Sequence, residues 1–246
     1  LFGINIVATH GLNIMMGYTG LLSLGHAAFI GVGAYTACLL QIHFGLAFYI
    51  TIPLAGVSAA VIGVGFGLPS LRIRGLYLVV ATLAAQFILN FVFVHWQSLT
   101  NGDGGLTVKP AEIFGYALNN ETRFYYLIVP VAALMTYMAY NLIRSRTGRA
   151  FIAIRERDLT ADVLGVEIVW YKLVSFAVGS FYAGVAGGLL AYFNRYVTPE
   201  QFGLMVSVFF LSAIIVGGMG SILGAILGAL FMTILPEVLR ESVLLF

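Results

Sequence analysis

Residues 17–35 read GYTGLLSLGHAAFIGVGAY, a run with five glycines plus Thr19, Ser23 and His26 inside a long apolar stretch. Gly17, Gly20, Gly25, Gly31 and Gly33 weaken a helix and permit an unwound segment. At membrane depth such backbone is tolerated only where it is buried in protein or lines a cavity. An interrupted helix presents N–H groups at one broken end and carbonyls at the other. Those ends suit a zwitterion, the N–H groups meeting a carboxylate and the carbonyls an ammonium. Gly17, Tyr18, Thr19, Gly20, Ser23 and His26 are therefore candidates to line a path for a polar solute. The same residues also fit a second reading, in which the glycines permit close helix packing and Ser and Thr bond back to their own helix.

Other chemistry is hard to assemble from this chain. Asp103, Glu112, Glu121, Glu156, Asp158, Asp162, Glu167 and Glu200 fall between apolar segments, and Glu237 and Glu241 follow the last one. Ion-driven carriers keep an ionisable group near the midplane, and no carboxylate is expected there. An intramembrane hydrolase needs a nucleophile with a base, or a metal with its ligands. His10, His26, His43 and His95 are isolated and lack ligand spacing, and Cys38 is the only cysteine. No G-x-x-x-x-G-K-[ST] phosphate loop is present. The expectation is a chain without enzymatic activity, metal or cofactor of its own, so energy for moving a solute must come from elsewhere.

The elements that hold these residues are apolar helices. Of the 246 residues, 61% are hydrophobic and only 9% charged, against roughly 25% charged in a soluble domain. No Asp, Glu, Lys or Arg precedes Arg72, which leaves room for three spans of roughly 20 residues each and is far too long for a signal peptide. The fold class expected is an all-α, polytopic helical bundle, a single transmembrane domain over residues 1–246. About eight spans are expected, at 1–17, 26–43, 47–68, 75–95, 125–143, 173–193, 203–217 and 220–236.

Orientation follows from Lys and Arg in short loops. The 144–172 loop carries Arg144, Arg146, Arg149, Arg155, Arg157 and Lys172, and Arg72 and Arg74 flank the third and fourth spans, so both loops are expected on the cytoplasmic side. The 96–124 loop, with Lys109 and Arg123 against Asp103, Glu112 and Glu121, is expected outside. Net charge is only +2 and no basic face suggests nucleic acid.

Small residues recur at helical spacing. Gly220, Gly224 and Gly228 are expected to line one face of a late helix, and Gly179, Ala183 and Gly187 to do the same earlier, so that backbones approach closely. In the 144–172 loop, DLTADVLG has the marks of a two-turn helix capped by Asp158 and ended by Gly165 in the left-handed conformation. So short a helix needs a surface to pack on, either a groove in a partner or its own bundle.

This segment, ERDLTADVLGVEIVWYKLVSFAVGSFYAGVAGGLLA, resembles the coupling segment of ABC-transporter permeases, and in particular the LivM-type permeases of branched-chain amino-acid importers. GYTGLLSLGHAAFIGVGAYTA, LRIRGLYLVVATLAAQFI, TNGDGGL and IVGGMGSILGAILGALF resemble the same family in the same order. The resemblance implies a permease subunit in a bacterial inner membrane, beside a second related permease. Two ATPases that bind ATP and Mg would dock below, and a periplasmic binding protein would deliver substrate. It implies that Glu156, Asp158, Ala161, Asp162, Leu164 and Gly165 couple the ATPases to the membrane helices. The aliphatic lining near residues 17–26 would then accept a Leu, Ile or Val side chain. The family normally carries a helix before this start and one after this finish, so a span is expected to be missing at one or both ends. Two alternatives stay open: an importer of urea or short amides with a similar permease, and a stand-alone carrier or channel.

Overall fold

The structure is a computed structural model that describes residues 1–70, 76–113, 116–117 and 121–244. Its helices are α1 (Phe2–Leu12), α2 (His26–Phe44), α3 (Phe48–Ser70), α4 (Leu76–His95), α5 (Gln97–Thr100), α6 (Glu121–Arg144), α7 (Arg146–Val163), α8 (Ile168–Asn194), α9 (Leu204–Gly217) and α10 (Ile222–Leu244). A π-helical turn, Asn13–Tyr18, continues α1. Two short antiparallel pairs decorate one end: β1 (Leu106–Thr107) with β4 (Tyr196–Val197), and β2 (Glu112–Ile113) with β3 (Tyr116–Ala117).

The chain is an all-α, multi-pass membrane protein. Among the described residues, six helical segments are long and apolar enough to cross a membrane: His26–Phe44, Phe48–Leu68, Tyr77–His95, Phe124–Arg144, Ile168–Asn194 and Pro199–Gly217. The other two expected spans are shorter as apolar helices. The first is divided between 11 α-helical residues and the π turn. The apolar part of the last ends at Pro236, although the helix runs on to Leu244. Arg72 and Arg74, counted above toward orientation, lie outside the described residues.

Helix α8 is the central post. Its glycines meet three different neighbours because, without a side chain, backbone can touch backbone. Gly179 faces α1, where a methyl on Gly11 would lie 2.6 Å from the Gly179 carbonyl oxygen and 3.4 Å from the Ala183 nitrogen. Gly187 faces α2, where an added methyl would lie 2.8 Å from the Ile30 carbonyl carbon and 2.9 Å from the Ala34 nitrogen. Gly184 faces α3 at Ala55 and Gly56. The stripe of Gly179, Ala183 and Gly187 therefore packs inside this chain.

The later stripe needs a correction. Gly224 and Gly228 do lie on α10 and pack against Gly217, Gly218 and Ala213 of the α9 end. Gly220 does not belong to that face: it sits in the turn before α10 with φ +79, and a methyl there would run into Arg155. The sequence spacing of four continues through it, but a helix cannot contain that φ.

The 144–172 segment also differs from expectation, for it is helical from Arg146 rather than only near residue 158. Ser145 caps the N-terminus, its hydroxyl accepting from Gly148 N–H at 3.4 Å. Ala150, Phe151 and Ile154 then bury one face, with Phe151 fully inaccessible. The arginines on either side, Arg149 and Arg155, mask this pattern in the sequence. Glu156, Asp158 and Asp162 accordingly sit on a helix and not in loop.

A paired substitution tests the packing. Gly187→Ala forces α2 and α8 apart and should cost about 1–3 kcal/mol. Gly65→Ala, where nothing lies within 4 Å of the added methyl, should leave stability unchanged or raise it by up to about 1 kcal/mol. Thermal unfolding of the purified variants in detergent checks both.

Candidate functional site

The interruption after α1 brings the glycine-rich motif into one place. Four backbone carbonyls at the end of the π turn are each met as the helix ends. Ile14 O accepts from Thr19 Oγ1 at 3.0 Å, Met15 O from Leu21 N at 2.9 Å, and Met16 O from Gly20 N at 3.1 Å. Gly17 O accepts from a guanidinium nitrogen of Arg155 on α7. Gly20 has φ +74, the left-handed turn that lets the chain leave the helix. Thr19 also hydrogen-bonds Ser175 of α8 at 2.7 Å.

The far side of the break is the N-terminus of α2. Leu24 N–H donates to Thr82 Oγ1 at 3.1 Å, Ala27 N–H to Ser207 Oγ at 2.9 Å, and Ala28 N–H to Gln86 Oε1 at 2.9 Å. Gln86 Nε2 in turn donates to Phe202 O at 2.6 Å, and Ser207 Oγ to Gln86 Oε1 at 3.2 Å. His26 is fully buried and Nε2 donates to Ala8 O at 2.9 Å, with its ring edge-on to Phe210. That bond leaves Nδ1 as an acceptor, and it finds no partner among the described residues. Ser23 accepts from Gly25 N–H at 3.4 Å.

Gly17, Tyr18, Thr19, Ser23 and His26 are thus brought together and buried, while Gly20 is exposed at the rim. The α2 N–H groups expected to meet a carboxylate are held by neutral side chains of α4 and α9. Two large apolar grooves lie elsewhere. One of about 730 Å³ is lined by Phe2, Ile6, Ile128 and Ile226, and one of about 540 Å³ by Phe48, Ile52, Met138 and Phe181.

Sequence reasoning missed Thr82, Gln86, Ser175, Ser207, Asn13 and Arg155. A signal was available for Gln86, which with Asn90 is one of two amides in the apolar run LVVATLAAQFILNF, since polar groups inside a span demand partners. Asn13 is a second tie: its Nδ2 donates to Ser221 O at 2.9 Å and its Oδ1 accepts from Gly220 N–H at 2.9 Å.

On the same end of the bundle, α7 kinks at Arg157, whose φ −156 and ψ 98 are extended. The arm beyond it carries five of the six expected coupling residues, and Glu156 lies just before the kink. Asp158 Oδ1 accepts from Leu159 N–H at 2.9 Å, and its carboxylate lies 3.9 Å from Lys172 Nζ. Gly165 has φ +83, with Gly165 N–H on Asp162 O at 2.9 Å and Val166 N–H on Ala161 O at 3.0 Å. This pair of bonds ends the helix in a Schellman motif. Ala161 is buried, whereas Leu159, Val163 and Leu164 are 63%, 88% and 76% exposed. Glu156 and Asp162 are exposed too.

Comparison with known proteins fits this arrangement. A family model described as the permease component of branched-chain amino acid transport systems matches residues 1–244. The chain belongs to that family. It is 33% identical over 262 residues to the high-affinity branched-chain amino acid transport system permease protein LivM of Salmonella typhimurium, covering 97% of this chain and 62% of the relative. The LivM of Escherichia coli K12 is 32% identical with the same coverage. The chain thus spans about 62% of the length of these relatives. The E. coli permease LivH is 27% identical over 94% of this chain and 82% of the relative. No solved structure matches.

Gln86 offers the sharpest test of the site's construction. Gln86→Leu leaves Ala28 N–H and Phe202 C=O unmet in an apolar interior, and should cost about 2 kcal/mol or more. Gln41→Leu, which breaks an exposed pair of bonds to the Lys109 backbone, should cost under about 1 kcal/mol because water replaces the lost partner. Equal losses in detergent unfolding would contradict the assignment of Gln86 as a buried tie.

Proposed function

We propose that this chain is the membrane-spanning permease subunit of an ATP-driven importer that moves branched-chain amino acids across a bacterial inner membrane. The observation that carries the reading is the family match along residues 1–244. Relatives named LivM and LivH both align with the chain, which supports pairing with a second, related permease. In this reading α1 with its π turn and α10 also cross the bilayer, giving eight spans. The arginine-rich α7 lies on the cytoplasmic side, and β1 and β4 lie outside.

Hydrolysis of ATP is assigned to two partner subunits, which bind the nucleotide and Mg, and selection of substrate to an external binding protein. The exposed Leu159, Val163 and Leu164 are unusual on a charged cytoplasmic elbow. They suit insertion into a groove of the ATPase, with Glu156, Asp158 and Asp162 at the rim. Ala161 holds the arm against the bundle, and Gly165 turns the chain back into α8. The break at residues 17–26 lies on the translocation path. A zwitterion reaching it exchanges for the neutral Ser207 and Gln86 partners of the α2 N–H groups. A weak site of that kind is sufficient where a binding protein supplies the selectivity.

Proteoliposomes test the reading. The full-length chain is assembled with its neighbouring permease and ATPases, with binding protein outside, ATP inside, and labelled leucine and urea offered in parallel. Leucine entry that needs both ATP and binding protein is expected. Urea entry alone moves the substrate class, and uptake by this chain without ATP overturns the importer. Val163→Asp should abolish co-purification of the ATPases while leaving the chain folded in the membrane.

A further inference from the structure

Arg155 occupies a position that the proposed function does not explain. It lies two residues before the α7 kink, so it belongs to the inner arm while Leu159, Val163 and Leu164 belong to the outer one. Its stem rests on the break, for a methyl on Gly20 would lie 3.3 Å from Arg155 Cγ. Its guanidinium donates to Gly17 O, the carbonyl that the interrupted helix leaves behind. It also abuts Gly220, where any side chain would collide with it. Among the described residues, no carboxylate lies within ion-pair distance of Arg155. A cation at a helix C-terminus is favoured by the carbonyl dipoles, and a charged donor binds a carbonyl more firmly than a neutral one.

The same π turn has a second anchor. Asn13 bonds both Gly220 N–H and Ser221 O, each at 2.9 Å, so the α9–α10 turn is fastened to the end of the first helix. Three elements thus converge on Gly17: the elbow through Arg155, the first helix through its own carbonyl, and the α9–α10 turn through Asn13.

We propose that Arg155 is a positioning residue that carries movement of the α7 elbow to the break at residues 19–25, by pulling on the Gly17 carbonyl. The inference rests on the ATP-driven reading above. When the outer arm is displaced by a docked ATPase, the inner arm tilts and Arg155 moves with it. The carbonyl end of the break follows, while the α2 end stays tied to Gln86 and Ser207. The separation of the two ends of the break therefore changes with the nucleotide state.

The test uses the full-length chain in its assembled complex in liposomes. Leu22, 41% exposed in the break, is replaced (Leu22→Cys), and the buried Cys38 is removed (Cys38→Ala). The labelling rate of the introduced thiol is followed with and without ATP plus vanadate, together with complex assembly and basal ATP hydrolysis. With native Arg155, nucleotide should change the rate about tenfold, and Arg155→Lys should keep most of that response. Arg155→Met keeps the stem on Gly20 but removes the charged donor. It should reduce the response to under about twofold with assembly and basal hydrolysis retained. Where Arg155→Met fails to assemble, Arg155→Gln is judged by the same criterion. An undiminished response in the uncharged variant, or its loss in Arg155→Lys, overturns the proposal and leaves the importer reading intact. No response with native Arg155 in a complex that hydrolyses ATP overturns the proposal alone, whereas a complex that assembles but hydrolyses no ATP rejects the ATP-driven reading.

Discussion

A helix that stops inside an apolar environment must find partners for the backbone groups it exposes, and the rest of this structure is arranged around that demand. Every unmet N–H or carbonyl in such surroundings costs several kcal/mol. Here the first helix stops at Tyr18 and the chain re-enters a helix at His26. The carbonyls of the first end are closed by Thr19, by local N–H groups and by Arg155. The N–H groups of the second end are closed by Thr82, Gln86 and Ser207. The break is consequently the point where α4, α7, α8 and α9 are joined by polar contacts. The glycine contacts of α8 hold the surrounding helices close enough for those short side chains to reach.

This arrangement separates two kinds of contact. The apolar and glycine contacts between α8 and its neighbours are backbone against backbone, and they leave little room for small adjustments. The contacts at the break are single hydrogen bonds from side chains that can rotate. Neutral pairs inside membrane proteins are individually modest, about 0.6 kcal/mol on average. The break is thus the softer part of a stiff bundle, and it touches, through Arg155, the elbow that carries an exposed apolar arm. A permease has to be rigid enough to keep its seal and yet have one place that yields, and the chain meets both needs with different residue types.

Much of the architecture was legible in the sequence, because charge-free stretches bounded by charges mark helices by length alone. The glycines Gly17, Gly20 and Gly25 announce that the helix can unwind, though not the π turn that precedes the break, and the end of the elbow follows from Gly165. The beginning of the elbow was not legible. Its arginines point to loop, and the buried set of Ala150, Phe151 and Ile154 is short enough to be hidden by them. Gly220 misled for the opposite reason, since its spacing suits a helix while its φ forbids one. Partners of the break were the least legible of all. Ser207 meets Ala27 across 180 residues of sequence, and nothing local to either residue announces the other. Only the setting of Gln86 among apolar neighbours hinted that an amide there must be holding something.

The account stands most directly on one claim, that the interrupted backbone is closed by the chain's own side chains. Residue-resolved hydrogen exchange of the purified protein in lipid nanodiscs measures it. The N–H groups of Leu24, Ala27 and Ala28 should exchange as slowly as those in the middle of α8, although they lack helical partners. Exchange at the rate of the exposed turn at Gly45, with its φ +62, would contradict the account and leave the break an open segment.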